Sequence, residues 1–200
     1  MGSRADLAPF RYPDEEFLNK LVHQVDFPRR DETPKTRDPE TNLHKYACRM
    51  MCDLTICQLV AGKAFTKEHI LDIYKRAVNG ELGPNVLDFQ CTVGGGEQNL
   101  INEALRMLGD TKHTVRQHAV KNLDTGETWN MGSFNSKTLP GPGNTYFIIV
   151  DMRTNSSGDY GGHHFVLFNS VGELIYDPAR NEIRSYNHCG RLIYYKVTGM

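Results

Sequence analysis

Every segment with helical spacing lies before Gly109, and every segment with strand spacing lies after it. A helical front half and a β-rich back half exclude the alternating pattern of a parallel α/β sheet. They imply an α+β domain, with N-terminal helices packed on a mainly antiparallel β-sheet. The strongest helical signal is Tyr46–Val60, where Met50, Met51, Leu54, Ile56, Leu59 and Val60 run without Gly or Pro up to Gly62. Thr66 predicts the N-cap of a second helix, with Ile70, Ile73, Tyr74 and Ala77 on one face and Gly80 at its end. A third helix is expected after Gly94-Gly95-Gly96, carrying Leu100, Ile101, Ala104, Leu105 and Leu108 up to Gly109. Pro13–Val22 predicts a short amphipathic helix, and the charged, proline-bearing stretch Pro28–Asn42 an extended arm.

Beyond Gly109, strands are expected at Thr114–Val120, Thr145–Met152, His164–Asn169, Leu174–Tyr176 and Leu192–Val197. Turns are expected at Asp124-Thr125-Gly126 and Val171-Gly172, and another at His188-Cys189-Gly190. The Ser-, Asn- and Gly-rich run from Asp151 to Gly161 reads as a loop on a cleft rim, where Tyr160 and Trp129 are candidate lining residues. A formal charge of −1 argues against nucleic acid or an anionic membrane as partner. No apolar stretch reaches the roughly 20 residues of a membrane span, and Met1–Asp6 lacks a secretory pattern, so a cytoplasmic location is expected.

Five cysteines, an odd number, do not form a disulfide framework, so the question is which thiol is reactive. A reactive thiolate gains from a helix N-terminus, where unpaired N–H groups and the dipole favour negative charge. Cys48 stands where the polar arm gives way to the apolar helix, whereas Cys52 and Cys57 lie deeper in it. A buried helix cysteine is nevertheless the commoner circumstance, and position alone does not make a nucleophile. The second signal is Gly161-Gly162-His163-His164-Phe165-Val166-Leu167-Phe168-Asn169, which sets a histidine at the start of an apolar strand. Ile175-Tyr176-Asp177-Pro178 then puts a carboxylate at the end of the next strand of a hairpin. A carboxylate on one imidazole nitrogen fixes the tautomer and leaves the other nitrogen for the thiol proton. His163 and His164 face opposite sides of a strand, and either is a candidate base; Asn169 is an alternative orienter.

Two other readings rest on single features. Gly94-Gly95-Gly96 before a helix has the flexibility of a phosphate cradle but lacks the Lys-Ser/Thr of a P-loop. Cys48 and Cys52, with His163 and His164, make a weak zinc set, since structural zinc sites more often use Cys-x2-Cys knuckles.

In order along the chain, Tyr46-Ala47-Cys48, Gly96 to Leu108-Gly109, Tyr146-Phe147-Ile148-Ile149-Val150, His164-Phe165-Val166-Leu167 and Tyr176-Asp177-Pro178 resemble the papain-like cysteine peptidases. The likeness is to the branch containing the bacteriocin leader peptidases, which cut after double glycine, and it spans roughly residues 42–178. It implies Cys48 as nucleophile, His164 ahead of His163 as base, and Asp177 as orienter, with no cofactor or metal. The implied division is an N-terminal helix and arm over residues 1–44 and a thiol-hydrolase domain over 45–200, together one globular unit. The expected substrate is a peptide, a protein or a peptidoglycan peptide; cell-wall amidases share the Cys-then-His order, but the Asp-Pro hairpin favours the peptidase branch. At two positions the chain departs from the family pattern. Arg49 stands where Gly usually follows the nucleophile, and Asn42 where a Gln donates to the oxyanion. Asn donates the same kind of bond from a shorter arm, and His44 is a second candidate donor. These departures keep open a catalytically weak or inactive relative that binds a peptide or partner in the same cleft.

Overall fold

The computed structural model describes residues 15–30, 38–122, 145–153, 163–170, 172–180, 186 and 188–199. Asp124-Thr125-Gly126, Trp129, Tyr160, Gly161 and Gly162 lie outside the described residues, as does most of the expected rim loop. The architecture is α+β. Helices α1 (Glu15–Lys20), α2 (Pro39–Tyr46), α3 (Cys48–Ala61), α4 (Lys67–Val78) and α5 (Glu97–Met107) precede five strands. These are β1 (Thr114–Asn122), β2 (Thr145–Arg153), β3 (His163–Asn169), β4 (Leu174–Tyr176) and β5 (His188–Thr198). They form one antiparallel sheet in the order β1-β5-β2-β3-β4. Among the described residues, no helix is long and apolar enough to cross a membrane.

Helix α3 is the centre of the fold. Every residue from Met50 to Val60 is buried, so the helix has no solvent face and shows little amphipathic periodicity. It packs on β3 and α5 and ends at Gly62, whose φ of 67° is the left-handed cap that glycine adopts without strain. Thr66 caps α4 by accepting from the His69 N–H at 3.2 Å. The sheet's helix-facing side chains, including Phe147, Ile149, Leu167, Ile193 and Tyr195, join this main core. Their alternates Ile148, Val150, Val166, Phe168, Leu192 and Tyr194 form a second cluster on the opposite face. A sheet buried on both faces explains the unbroken apolar run Tyr146–Val150.

Two local expectations are corrected. The arm expected to reach Asn42 ends earlier, because α2 begins at Pro39 with Asp38 at its N-cap. Proline suits the first helical position, where its fixed φ is helical and its missing N–H is not needed. The Asp-Pro-Glu sequence was therefore a helix start, and Asn42 lies inside that helix. The turn expected at His188-Cys189-Gly190 is part of β5. Asp151 pairs with Arg191 and Met152 with Cys189, which leaves Gly190 as an extra residue in the ladder. A Cβ there would meet the Arg153 side chain at 2.1 Å, so this glycine marks a bulge beside a close neighbour rather than a turn.

The Gly94-Gly95-Gly96 segment is also committed to packing. The Gly94 N–H donates to the Val86 carbonyl at 3.1 Å, and the Gly96 N–H to Asn85 at 2.8 Å. A Cβ on Gly94 would sit 2.3 Å from the Asn85 carbonyl oxygen. Two of the N–H groups a phosphate would need are already used to seat the chain against residues 85–86.

Candidate active site

Ala47 separates α2 from α3, with φ −82° and ψ 8°, and Cys48 is the first residue of the new helix. The early N–H groups of a helix have no intrahelical partner, so the sulfur lies at its electropositive end. Cys48 is partly exposed, whereas Cys52, Cys57, Cys91 and Cys189 are buried. The Cys52 and Cys57 thiols face the Phe165 and Ile101 carbonyls at 3.5 and 3.7 Å. Burial pushes both well above the ordinary thiol range, as it does Cys91. One helix thus carries two sequestered thiols and one at a cleft.

The hairpin β3–β4 brings the predicted base and orienter together. His164 Nε2 and Asp177 Oδ1 are 2.7 Å apart, with both side chains almost fully buried. The carboxylate also accepts the Ala179 N–H at 2.9 Å, which fixes its orientation. Asn169, the alternative orienter, instead clasps the β3–β4 turn: its amide donates to Glu173 Oε2 and its oxygen accepts the Glu173 N–H, each at 2.8 Å. Tyr186 stacks on the His164 ring with centroids 5.3 Å apart. With Nε2 held by Asp177, Nδ1 is the nitrogen left for the Cys48 sulfur, which acts on this imidazole. Burial alone would lower the His164 pKa. The Asp177 carboxylate and the Cys48 sulfur outweigh it and raise it to about 9.

That shift carries a stability consequence. A histidine whose folded pKa lies above its unfolded value stabilises the fold fully below about pH 6.5 and loses that contribution as pH rises through about 9. Urea unfolding between pH 6 and pH 9.5 is therefore expected to show wild type losing up to about 3 kcal/mol more than His164→Gln. Parallel declines in the two proteins would contradict the pairing.

His163 has a carboxylate of its own, one the sequence did not point to. Its Nδ1 lies 2.8 Å from Asp151 Oδ1, a fully buried carboxylate at the end of the apolar run of β2. Arg153 and Arg191 reach the other Asp151 oxygen at 3.3 and 3.2 Å. His163 lines a cleft of about 290 Å³ together with Lys45, Tyr46, Cys48, Gln90 and Cys91.

The two departures from the family pattern differ in kind. Arg49 turns inward from the helix start, donating to Glu97 Oε1 at 2.7 Å and to the Tyr195 hydroxyl at 2.8 Å. Its Nε lies 3.7 Å from Asp53 Oδ2, and its guanidinium sits 5.6 Å over the Phe165 ring. Asn42 is buried on α2 and donates its amide to the Tyr74 hydroxyl at 3.2 Å; it is not among the residues lining the cleft. His44 is likewise engaged elsewhere, with Nδ1 2.6 Å from the Phe27 carbonyl. The structure therefore joins His164 to Asp177 with the Cys48 sulfur acting on the ring, sets His163 on the same cleft as Cys48, and buries Asn42 against Tyr74. Among the described residues, no group of three or more His, Cys, Asp or Glu side chains is placed to hold a metal ion. No protein family, no curated protein and no solved structure matches the chain.

Proposed function

We propose that the chain is a papain-like cysteine peptidase or amidase. The observation that carries this reading is the alignment of Asp177, His164 and Cys48, with a 2.7 Å carboxylate–imidazole bond behind a partly exposed thiol at a helix start. In the reaction, the Cys48 sulfur, its proton already held by His164, attacks the carbonyl carbon of a peptide or amide. The negative charge moves onto the carbonyl oxygen, next to the Cys48 backbone N–H. The C–N bond then breaks as the His164 imidazolium protonates the departing amine, leaving a thioester on Cys48. Water, deprotonated by His164, attacks the thioester; the acid leaves and the thiol is restored. Asp177 holds the ring in one tautomer and stabilises its charged form throughout. The substrate class is a peptide, a protein or a peptidoglycan peptide, and no cofactor enters the reaction.

Alkylation by iodoacetamide, followed by mass spectrometry at each cysteine between pH 5 and 9, tests this directly. Cys48 is expected to react first and to remain reactive below pH ~7, while the buried thiols lag. If Cys48 reacts no faster than Cys91 or Cys189, the enzyme reading fails, and the cleft is better read as a peptide- or partner-binding site.

A further inference from the structure

An acyl-transfer site needs a donor aimed at the developing oxyanion, and Asn42, in the expected sequence position, gives its amide to the Tyr74 hydroxyl at 3.2 Å. The cleft beside Cys48 holds another carboxamide, that of Gln90. Residues 87–93 form a small closed loop, joined at its base by a bridge between Leu87 and Val93. Asp88 Oδ1 accepts the N–H groups of Gln90 and Thr92, each at 2.9 Å, and the Cys91 N–H returns to the Asp88 carbonyl at 2.9 Å. Cys91 has a φ of 57°, a left-handed backbone that a non-glycine residue holds only when its surroundings enforce it. Gln90, at the tip beside it, lines the cleft with Cys48.

The loop is also tied to Asn42. The Asn42 amide donates to the Tyr74 hydroxyl, and that hydroxyl donates to the Phe89 carbonyl at 2.7 Å. The Cys91 thiol faces the Asn42 carbonyl at 3.8 Å. Asn42 thus braces the loop from behind, one residue away from Gln90. A carboxamide on a braced loop, lining the same cleft as a thiol at a helix start, is a candidate for a donor set in place before reaction, which is how an oxyanion hole lowers a barrier.

We propose that Gln90 donates the side-chain hydrogen bond to the oxyanion, with the Cys48 backbone N–H as the second donor. Asn42 and Tyr74 are positioning residues for the loop. This rests on the thiol-hydrolase reading, so the test separates the two. One probe is p-nitrophenyl acetate, whose acetyl group is transferred to the Cys48 sulfur as its ester C–O bond breaks and p-nitrophenolate leaves. This passes through a tetrahedral oxyanion. The other is iodoacetamide, in which the sulfur displaces iodide at a saturated carbon and no oxyanion forms.

Gln90→Ala and Gln90→Glu are expected to slow acylation about 10²-fold, the scale of losing one oxyanion donor. Their alkylation rates should stay within about twofold of wild type, since only the oxyanion step uses the donor. Asn42→Ala and Tyr74→Phe should each slow acylation by less than Gln90→Ala, also without changing alkylation. Tyr74→Phe is informative because it cuts the brace but leaves the Asn42 carboxamide in place; a direct Asn42 donor would leave acylation unchanged there. The proposal is overturned if Gln90→Ala acylates like wild type, if Asn42→Ala loses more than Gln90→Ala, or if wild-type Cys48 alkylates rapidly yet is not acylated. In each of those results the Cys48–His164 pair still stands. Slow alkylation of wild-type Cys48 removes the hydrolase reading, and this inference with it.

Discussion

Replacing His164 with alanine is expected to slow iodoacetamide alkylation of Cys48 at pH 6 by at least about 10²-fold, the lower range for losing a positioned general base. At that pH a thiolate persists only if a neighbouring group accepts the proton and remains positively charged. His164 meets both demands, since its pKa of about 9 keeps it protonated well above neutrality. Asp177→Asn should slow the reaction less, about tenfold, because the ring remains beside the sulfur but loses the carboxylate that stabilises its charge. His163→Ala is the decisive control. His163 is next in sequence, lines the same cleft and has a carboxylate partner, yet its Nδ1 is held by Asp151. Alkylation in that variant should stay within about threefold of wild type. If His163→Ala abolished the reactivity and His164→Ala did not, the base would belong to the other face of β3, and the Asp177 assignment would fall with it.

How far the sequence reached depended on whether a feature was local or made by tertiary contacts. The start of α3 at Cys48 and the cap at Thr66 were legible because each depends on residues within one helical turn. His164 and Asp177 were legible as a pair because a single hairpin joins them, so their separation along the chain translates into proximity. Helix α2 was missed although Asp38-Pro39 signals a start, because a helix of Pro39–Tyr46 is too short for apolar periodicity to emerge from its charged flanks. Gly190 was read as a turn because glycine in a polar context is locally ambiguous; what decides it is the Arg153 side chain from a neighbouring strand. Asp151 and Gln90 carried no pattern that spacing could detect. Asp151 acquires His163 through the β2–β3 register, and Gln90 reaches the cleft through a loop held by Asp88 and Tyr74. The juxtaposition of His164 with Asp177 was therefore readable, and the contacts of Asp151 and of the loop carrying Gln90 were not.

Arg49→Met is expected to cost about 3–5 kcal/mol, the range for breaking a buried ion pair by removing one partner. For a chain of this size that lowers Tm by on the order of 10 °C. Arg49 is the cation between two carboxylates next to Cys48 in sequence, with Glu97 at 2.7 Å and the wholly buried Asp53 at 3.7 Å. The Tyr195 hydroxyl lies against Glu97 Oε1 and 3.1 Å from Asp53 Oδ1. Burial, reinforced by the Glu97 charge, pushes Asp53 well above the usual carboxylate range. Glu97 moves the other way. Burial would raise it, but Arg49 and the hydrogen bonds from Asp53 and Tyr195 hold it below its ordinary value. The guanidinium thus favours the ionised form of Glu97, while burial disfavours that of Asp53. Without the guanidinium, Glu97 would be either a buried unpaired anion or protonated, with its folded pKa now above the unfolded value. A carboxylate shifted upward loses stability as pH rises from its unfolded pKa to its folded one. The deficit of Arg49→Met should accordingly be smaller at pH 5 than at pH 8. Adding Glu97→Gln should recover most of it, since exchanging both partners of a buried pair for uncharged groups is often near neutral. Urea midpoints of wild type, Arg49→Met and the double variant at the two pH values provide the check. A deficit below about 1 kcal/mol, the scale of a surface pair, would mean that the buried carboxylates do not depend on Arg49. One that is equal at both pH values and unrelieved by Glu97→Gln would show lost packing rather than lost charge. In either case, Arg49 would not be the counter-ion that allows two buried carboxyl groups to lie beside it.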